Sequence, residues 1–298
     1  MNITVCILSY NSERYIIECL NSVLQQTYDL KKIALYVLDD FSSDDSVSLV
    51  NAWIKKNKDF FGDVRLLLSS RNNGTVANAN RAFDVISTSW VKFIAADDVL
   101  FSNALCDFND FVNGYSCDDC VAIASQYKTF SHQTDSPSLT LPDRYTKKIL
   151  ELWEDNRFNQ AIYLLRLGGG NFAPSVFLNV RNFIDNRVFC SEYDVLEDLP
   201  TWDKLISNHA KFKYMPITTV GYRIHSGQTV GRILGKRIGS DLEIYAKSIR
   251  GSRGIVNVLA SYNRRYNIYV GRLYIKVNWL RTLLVYVSPI NILVKLLK

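Results

Sequence analysis

The sequence predicts an α/β protein built on a parallel sheet with helices on both faces. Strand-like and helix-like segments alternate through the first hundred residues, the strand-like runs are short and mostly apolar, the first of them rich in β-branched residues, and each of four such runs is followed by polar residues. Ile3–Leu8 is the first run. Over Ser12–Gln26 apolar residues recur at Ile16, Cys19, Leu20, Val23 and Leu24, the spacing of one helix face. Ala34–Leu38 is the next strand, and Ser43 is placed to cap a helix running to about Lys58. Val64–Leu68 is the third strand; a helix follows from about Thr75 to Ile86, and Val91–Ala95 is the fourth strand. Right-handed crossovers then bring every C-terminal strand end to one edge, where open sheets bind ligands.

Polar residues occupy that edge. Ser9, Tyr10 and Asn11 follow the first strand, and Asp39, Asp40, Phe41, Ser42, Ser43, Asp44 and Asp45 the second. Arg71, Asn72, Asn73 and Gly74 follow the third, and Asp97 and Asp98 the fourth. Neither a G-x-G-x-x-G nor a Walker-type loop follows the first strand, which argues against a dinucleotide enzyme or a P-loop NTPase. Clustered carboxylates either bind a divalent cation or share a proton. Magnesium and manganese take oxygen ligands and keep waters and substrate phosphates in their shell, so a site with one or two protein carboxylates is completed by a pyrophosphate.

The composition, 48% hydrophobic and 21% charged over 298 residues, is that of a globular chain with a sizeable core and excludes disordered and repeat architectures. Charge is unevenly placed: residues 1–203 carry 18 Lys and Arg against 27 Asp and Glu, residues 204–298 carry 17 against 2, so the halves stand at −9 and +15. A basic end on an acidic body suits a polyanionic partner. The Cys117–Cys120 pair has metal-ligand spacing but no second pair, which disfavours structural zinc, and Met1-Asn2-Ile3-Thr4 leads straight into a strand, so no secretory leader and reduced cysteines are expected. The terminal LRTLLVYVSPINILVKLLK, from Leu280, is apolar but broken by Pro289 and Arg281, which fits an interfacial helix better than a membrane span; Arg272, Lys276, Arg281, Lys295 and Lys298 would face lipid phosphates. A terminal helix packed on the domain is the plainer alternative. Tyr262, Tyr266, Tyr269 and Tyr274 interleave with basic residues, yet Leu280–Leu297 is too apolar for an RNA arm, and no nucleic-acid partner is expected.

Four segments in order, CILSYNSERYIIECLNSVLQQTY, VLDDFSSDDS, RNNGTVANANRAF and FIAADDVL, resemble those of the family-2 inverting glycosyltransferases of the GT-A fold, and within them the bacterial surface-polysaccharide transferases of O-antigen and capsule synthesis. The resemblance covers residues 1–230 and implies a mixed, mostly parallel sheet flanked by helices, with residues 231–298 a basic helical extension at the membrane. It implies that Ser9, Tyr10 and Asn11 frame the nucleotide base, that Asp39 or Asp40 bonds to base or ribose, that Asn73 and Gly74 approach the nucleotide, and that Asn80 holds this segment against the metal loop. Asp97 matches the Asp that binds Mn2+ or Mg2+, with Asp98 the acid beside it. Ala95 departs from the family, standing where the first Asp of its Asp-x-Asp is usual.

In the second half, Leu196-Glu197-Asp198-Leu199-Pro200 looks like the family's Glu-Asp segment: Asp198 would be the base that deprotonates the acceptor hydroxyl, and Glu197 would orient it or the acceptor. The plainer alternative is a solvated helix N-terminus carrying acids that suit its dipole. Gly168 to Ser175 resembles the acceptor-side segment. Tyr222-Arg223-Ile224-His225 resembles a late element in which Arg223 contacts the pyrophosphate and His225 the metal; the glycines through Gly239 fit a flap over the donor. The implied activity is transfer from a nucleotide-sugar, UDP favoured over dTDP and GDP, to a saccharide or lipid-linked saccharide, by single displacement, in a cytoplasmic protein peripheral to the inner face of the plasma membrane. A non-catalytic nucleotide-sugar-binding protein is the rival reading, supported by Ala95 and opposed by the Glu197-Asp198 pair. Deleting residues 275–298 is expected to release the protein from anionic vesicles while donor hydrolysis persists; vesicle pelleting unchanged by the deletion would refute the interfacial reading.

Overall fold

The structure, a computed structural model, describes residues 1–131, 140–168, 170, 172–185, 189–225, 236–251 and 255–272. The chain forms two compact units interleaved in sequence. One comprises Met1–Pro142, Phe172–Phe189 and Ala210–Ile224; the other comprises Asp143–Asn171, Cys190–His209 and His225–Lys298.

The first unit holds the sheet. Strands β1 (Ile3–Ser9), β2 (Ile33–Asp39), β3 (Asp63–Leu68) and β4 (Trp90–Ala95) pair in parallel in the order β3-β2-β1-β4, connected through helices α1 (Ile16–Leu24), α2 (Ser46–Asn57) and α3 (Thr75–Ala82). β1 is buried without alternation from Ile3 to Ile7, as a strand covered on both faces must be. The register aligns Ser9 with Asp39 and Asp39 with Leu68, and Leu8 with Ala95, so the strand ends expected at one edge do share it.

The three helices bury the expected faces but differ at their ends. Asn11 adopts a positive φ of 49°, and the carbonyl of Ser12 accepts the N–H groups of Tyr15 and Ile16, so α1 opens at Ile16 rather than Ser12. Ser43 does not cap α2. Asp44 does the bracketing instead, its Oδ1 accepting the backbone N–H of Ser46 at 3.0 Å and its hydroxyl at 2.5 Å. α3 stops at Ala82, and a turn that bonds Val85 and Ile86 back to the Ala82 carbonyl replaces its last expected turn.

Beyond β4 the sheet becomes mixed. β5 (Val99–Leu100) is followed by α4 (Ala104–Gly114), β6 (Cys120–Phe130) and β7 (Thr140–Leu141); later come β8 (Val176–Asn179), α7 (Val180–Asp185) and β9 (Lys211–Arg223). Among the described residues nine strands form one sheet, continuing from β4 through β8, β6 and β9 to β5, with β7 beside β6. β8 runs antiparallel to β4 and β6, β9 runs parallel to β6 with register shifts, and β5 pairs antiparallel with β9, Val99 opposite Gly221. A Cβ on Gly221 would lie 2.8 Å from Val99 Cγ2 and 3.2 Å from the Phe130 ring, so only glycine permits this approach.

The second unit is helical among the described residues: α5 (Arg144–Glu154), α6 (Phe158–Gly168), α8 (Asp198–Ser207), α9 (Lys236–Gly251) and α10 (Ile255–Arg272). Asp143 caps α5 by accepting the Thr146 N–H at 2.8 Å. A buried network joins the other four. Arg166 of α6 grips both carboxylate oxygens of Asp203 on α8 at 2.7 Å, Tyr245 of α9 donates to Asp203 at 2.7 Å, and Arg166 donates to Asn257 of α10 at 2.9 Å. Bidentate geometry with neutral partners on the remaining donors is what makes a buried ion pair sustainable. Residues 231–298, expected as an extension, thus supply α9 and α10 to this unit, and residues 236–239 of the expected flap form the first turn of α9; residues 226–235 and the terminal 273–298 lie outside the described residues. No helix of the described residues is long and apolar enough to cross a membrane.

Gly221→Ala is expected to destabilise the protein by about 1–3 kcal/mol through overpacking against Val99 and Phe130. A denaturant midpoint equal to wild type would show that the β5–β9 crossing does not need glycine.

Candidate active site

Parallel pairing delivers the first half of the site. Ser9 and Asp39 are buried neighbours at the ends of β1 and β2, joined by a 3.4 Å bond from the Ser9 hydroxyl. Asp39 closes the turn that follows it, accepting the Ser42 N–H at 2.8 Å and the Ser42 hydroxyl at 2.5 Å, and Phe41 inside that turn has a φ of 69°. Asn11 knits the two loops together: its N–H donates to Ser42 Oγ and its Oδ1 accepts the Ser43 N–H. Asp40 is spent differently. Its two oxygens accept the backbone N–H groups of Asn73 at 3.0 Å and Gly74 at 2.8 Å, and Gly74 has a φ of 89°, which glycine meets without strain. The Asn73 side chain bonds within its own loop, to Ser69, Arg71 and its carbonyl. Tyr10 and Phe41 leave their rings more than half exposed beside these buried carboxylates.

Asn80 is placed otherwise than expected. Its Nδ2 donates to the carbonyl of Phe189 at 3.1 Å and not to the loop bearing Asp97, and its Oδ1 is buried with no hydrogen-bond partner among the described residues. The residues that tie the α3 segment to the strand ends are Asn78, which donates to the Leu38 carbonyl, and Arg81, whose guanidinium reaches the carbonyls of Leu67, Leu68 and Asp39 and the Asn78 side chain. Both stood in the quoted motif, but nothing in their spacing showed which asparagine turned inward.

Asp97 and Asp98 sit in the turn between β4 and β5, with the Asp98 N–H bonded to the Ala95 carbonyl and Ala95 itself exposed. β5 carries this turn onto the end of β9. The Arg223 N–H donates to Asp98 Oδ1 at 2.9 Å, its Nε donates to the Asp97 carbonyl at 2.6 Å, and its Nη2 pairs with Glu18 of α1 at 2.7 Å. The guanidinium is 1% exposed and lies over the rings of Tyr15 and Phe130, 4.8 and 4.4 Å from their centroids. Arg223 is therefore directed into the protein to hold the Asp97–Asp98 turn, not outward to a pyrophosphate.

Burial, and then the charge of Asp97, push the Asp98 carboxyl well above the usual carboxylate range. Two adjacent carboxylates, one half-buried and one buried, make a donor set that a divalent cation relieves of mutual repulsion. Among the described residues no group of three or more His, Cys, Asp and Glu converges. Such a set suits magnesium or manganese, which complete their shells with water and phosphate. His225 follows β9 by two residues and is half-buried.

In the second unit Glu197 and Asp198 stand at the N-terminus of α8, where acids suit the helix dipole. Asp198 Oδ1 accepts the Leu199 N–H at 2.6 Å, and Thr201 Oγ1 donates to the Glu197 carbonyl at 2.5 Å. The segment before them, Asp194 to Leu196, is bonded through its backbone to Asp241 of α9, a residue the sequence had not singled out. Of the glycine-rich stretch, Gly169 and Asn171 lie outside the described residues; Gly168 abuts the Tyr145 ring, where a Cβ would lie 2.6 Å away. In the first unit Ser175 is fully buried and bonded to the Ser125 carbonyl, and the buried Lys92, pushed down to about 7 by desolvation, donates to the carbonyls of Pro174 and Val176.

Comparison with known proteins identifies the family and the fold. Residues 4–166, more than half of the chain, match Glycosyl transferase family 2. The chain is 31% identical over 111 residues to a poly(ribitol-phosphate) beta-glucosyltransferase of Bacillus spizizenii, a match covering 37% of this chain and only 17% of that protein. Its structure resembles residues 1–349 of Staphylococcus aureus TarS in complex with UDP-GlcNAc, with a TM-score of 0.65 at 17% identity over 93% of this chain and 77% of that one. It also resembles the mannosyltransferase PcManGT of Pyrobaculum calidifontis in complex with GDP-Man and Mn2+, with a TM-score of 0.58 at 14% identity over 98% and 73% of the two chains. The fold is GT-A, and the chain belongs to glycosyl transferase family 2.

Proposed function

We propose that this enzyme moves a sugar from a UDP-activated donor to a bacterial surface-polymer acceptor, a saccharide or lipid-linked saccharide, by single displacement with inversion. The observation that carries the donor half is the row of strand ends in register, Ser9 beside Asp39 beside Leu68, with the Asp97–Asp98 turn following β4. Ser9, Tyr10 and Asn11 frame the base, Tyr10 through its exposed ring. Asp39 and Asp40 shape the loops around the nucleotide, Asp40 by orienting the Asn73–Gly74 amides. Asp97, beside Asp98 and with His225, would hold Mn2+ or Mg2+; the metal, when bound, neutralises charge on the departing nucleoside diphosphate. UDP is favoured because the TarS neighbour binds UDP-GlcNAc, and a surface polymer because the Bacillus relative glucosylates poly(ribitol-phosphate). The basic terminal segment would bring the enzyme to anionic lipid at the inner face of the plasma membrane, where a lipid-linked acceptor resides.

Asp198 is the base. It removes the acceptor hydroxyl proton as the oxygen attacks the anomeric carbon and the nucleoside diphosphate leaves. Glu197 is unsuited to that part: its carboxyl is pushed up to about 8, first by burial and then by the charge of Asp198, so at neutral pH it keeps its proton and can donate a hydrogen bond to the acceptor.

Calorimetric titration with UDP, dTDP and GDP, with and without manganese, tests the donor site. Manganese-dependent UDP binding that is lost in Asp97→Ala and kept in Asp198→Asn is the expected result, and binding of no nucleotide would overturn the donor assignment. Turnover should fall by about 100-fold or more in Asp198→Asn, the loss usual for a missing general base.

The Glu197 proton has a second consequence. The folded chain retains it while the unfolded chain releases it above the ordinary value of 4.5, so this group's contribution to stability falls as pH rises from 4.5 toward about 8 and is level outside that window. Glu197→Gln fixes the neutral form, so its melting temperature should decline less than that of wild type across this range. Parallel profiles for the two proteins would show that Glu197 titrates normally.

A further inference from the structure

Asp241 lies on α9, 45 residues beyond Leu196, and is 2% exposed. One carboxylate oxygen, Oδ2, accepts three consecutive backbone N–H groups: Asp194 at 3.0 Å, Val195 at 2.8 Å and Leu196 at 3.0 Å. Glu197 and Asp198 follow at once. Three successive amides aimed at one anion require a curled backbone, and bonds to an ionised acceptor are roughly twice as strong as neutral ones. The carboxylate therefore selects the conformation of the peptide that leads into α8.

Within α8, Asp198 bonds to the N–H of its immediate neighbour and Thr201 to the carbonyl of Glu197, contacts that travel with the helix end itself. Asp241 holds the peptide that leads into the helix from outside it, and its charge also adds to the forces that keep Glu197 protonated.

We propose that Asp241 is a positioning residue for catalysis: by gathering the amides of Asp194, Val195 and Leu196 it sets the angle at which Glu197 and Asp198 are presented to the acceptor. The proposal rests on the reading of Asp198 as the base. A carboxylate displaced by about 1 Å from the hydroxyl it must deprotonate loses about 100-fold in rate without loss of binding.

The test uses Asp241→Ala, Asp241→Asn, Asp198→Asn and the double variants in the full chain. The readouts are UDP release from UDP-GlcNAc and UDP-glucose with manganese, UDP binding by calorimetry, and thermal melting. Asp241→Ala should lower kcat about 100-fold with the KM for donor and UDP affinity unchanged. Asp241→Asn, which keeps an acceptor oxygen but not the charge, should recover part of the loss and shift the pH profile of kcat. Adding Asp241→Ala to Asp198→Asn should cost nothing further, because the residue acts through that carboxylate. Full activity in Asp198→Asn would sink the base assignment, whatever Asp241 does. An inactive Asp198→Asn beside wild-type kcat and pH profile in Asp241→Asn would overturn the positioning role alone. If Asp241→Ala does not fold, the Asn variant and its pH profile decide in the same way.

Discussion

Parallel, in-register pairing of β1 with β2 and β4 is the constraint on which the donor side depends. In a parallel array each strand must be re-entered from the far end, so all C-terminal ends, and every loop that leaves them, share one edge. The register then fixes which residues meet: Ser9 lies beside Asp39 because Ile3 lies beside Ile33. A slip of one position would exchange the side chains that β1 presents to its two covered faces, so the same packing that stabilises the sheet also places the polar residues.

Acidic residues do unexpected labour around that edge. Asp40 binds two loop amides, Asp39 closes the Ser42 turn, Asp44 brackets the start of α2, and Asp98 receives the N–H of Arg223. Each holds a loop in a shape that regular secondary structure cannot supply, and each satisfies amides that would otherwise be buried unpaired. The exposed partners at the same edge, Tyr10 and Phe41, are left facing outward. The division is physical: short carboxylates near the backbone build the frame, and the long aromatic side chains extend beyond it.

The four strands of the first half were legible to within one residue at every end, because short apolar runs bounded by polar residues are local properties. Helix starts were less so. The apolar spacing started α1 at Ser12 and Ser43 had the chemistry of a cap for α2, but the positive φ of Asn11 and the reach of Asp44 moved both starts inward. The donor motifs were readable as a set, whereas the direction of individual side chains was not: Asn80 turned toward Phe189, and Arg223 turned inward between Tyr15 and Phe130. The pairing of β8, β6 and β9 and the hold of Asp241 on Asp194 to Leu196 depend on contacts between distant segments, which no pattern of apolar spacing reveals.

The ion pair of Arg166 and Asp203 carries a lesson about vectorial synthesis. A ribosome extrudes both charged residues before it delivers Tyr245 and Asn257, the neutral groups that complete their bonding. A nascent chain ending near residue 230 would own every residue of the recognisable family segment and still expose a half-solvated charge pair to be masked only by later helices. The boundary of the recognisable segments and the boundary of the residues that complete this charge pair are therefore different places on this polypeptide.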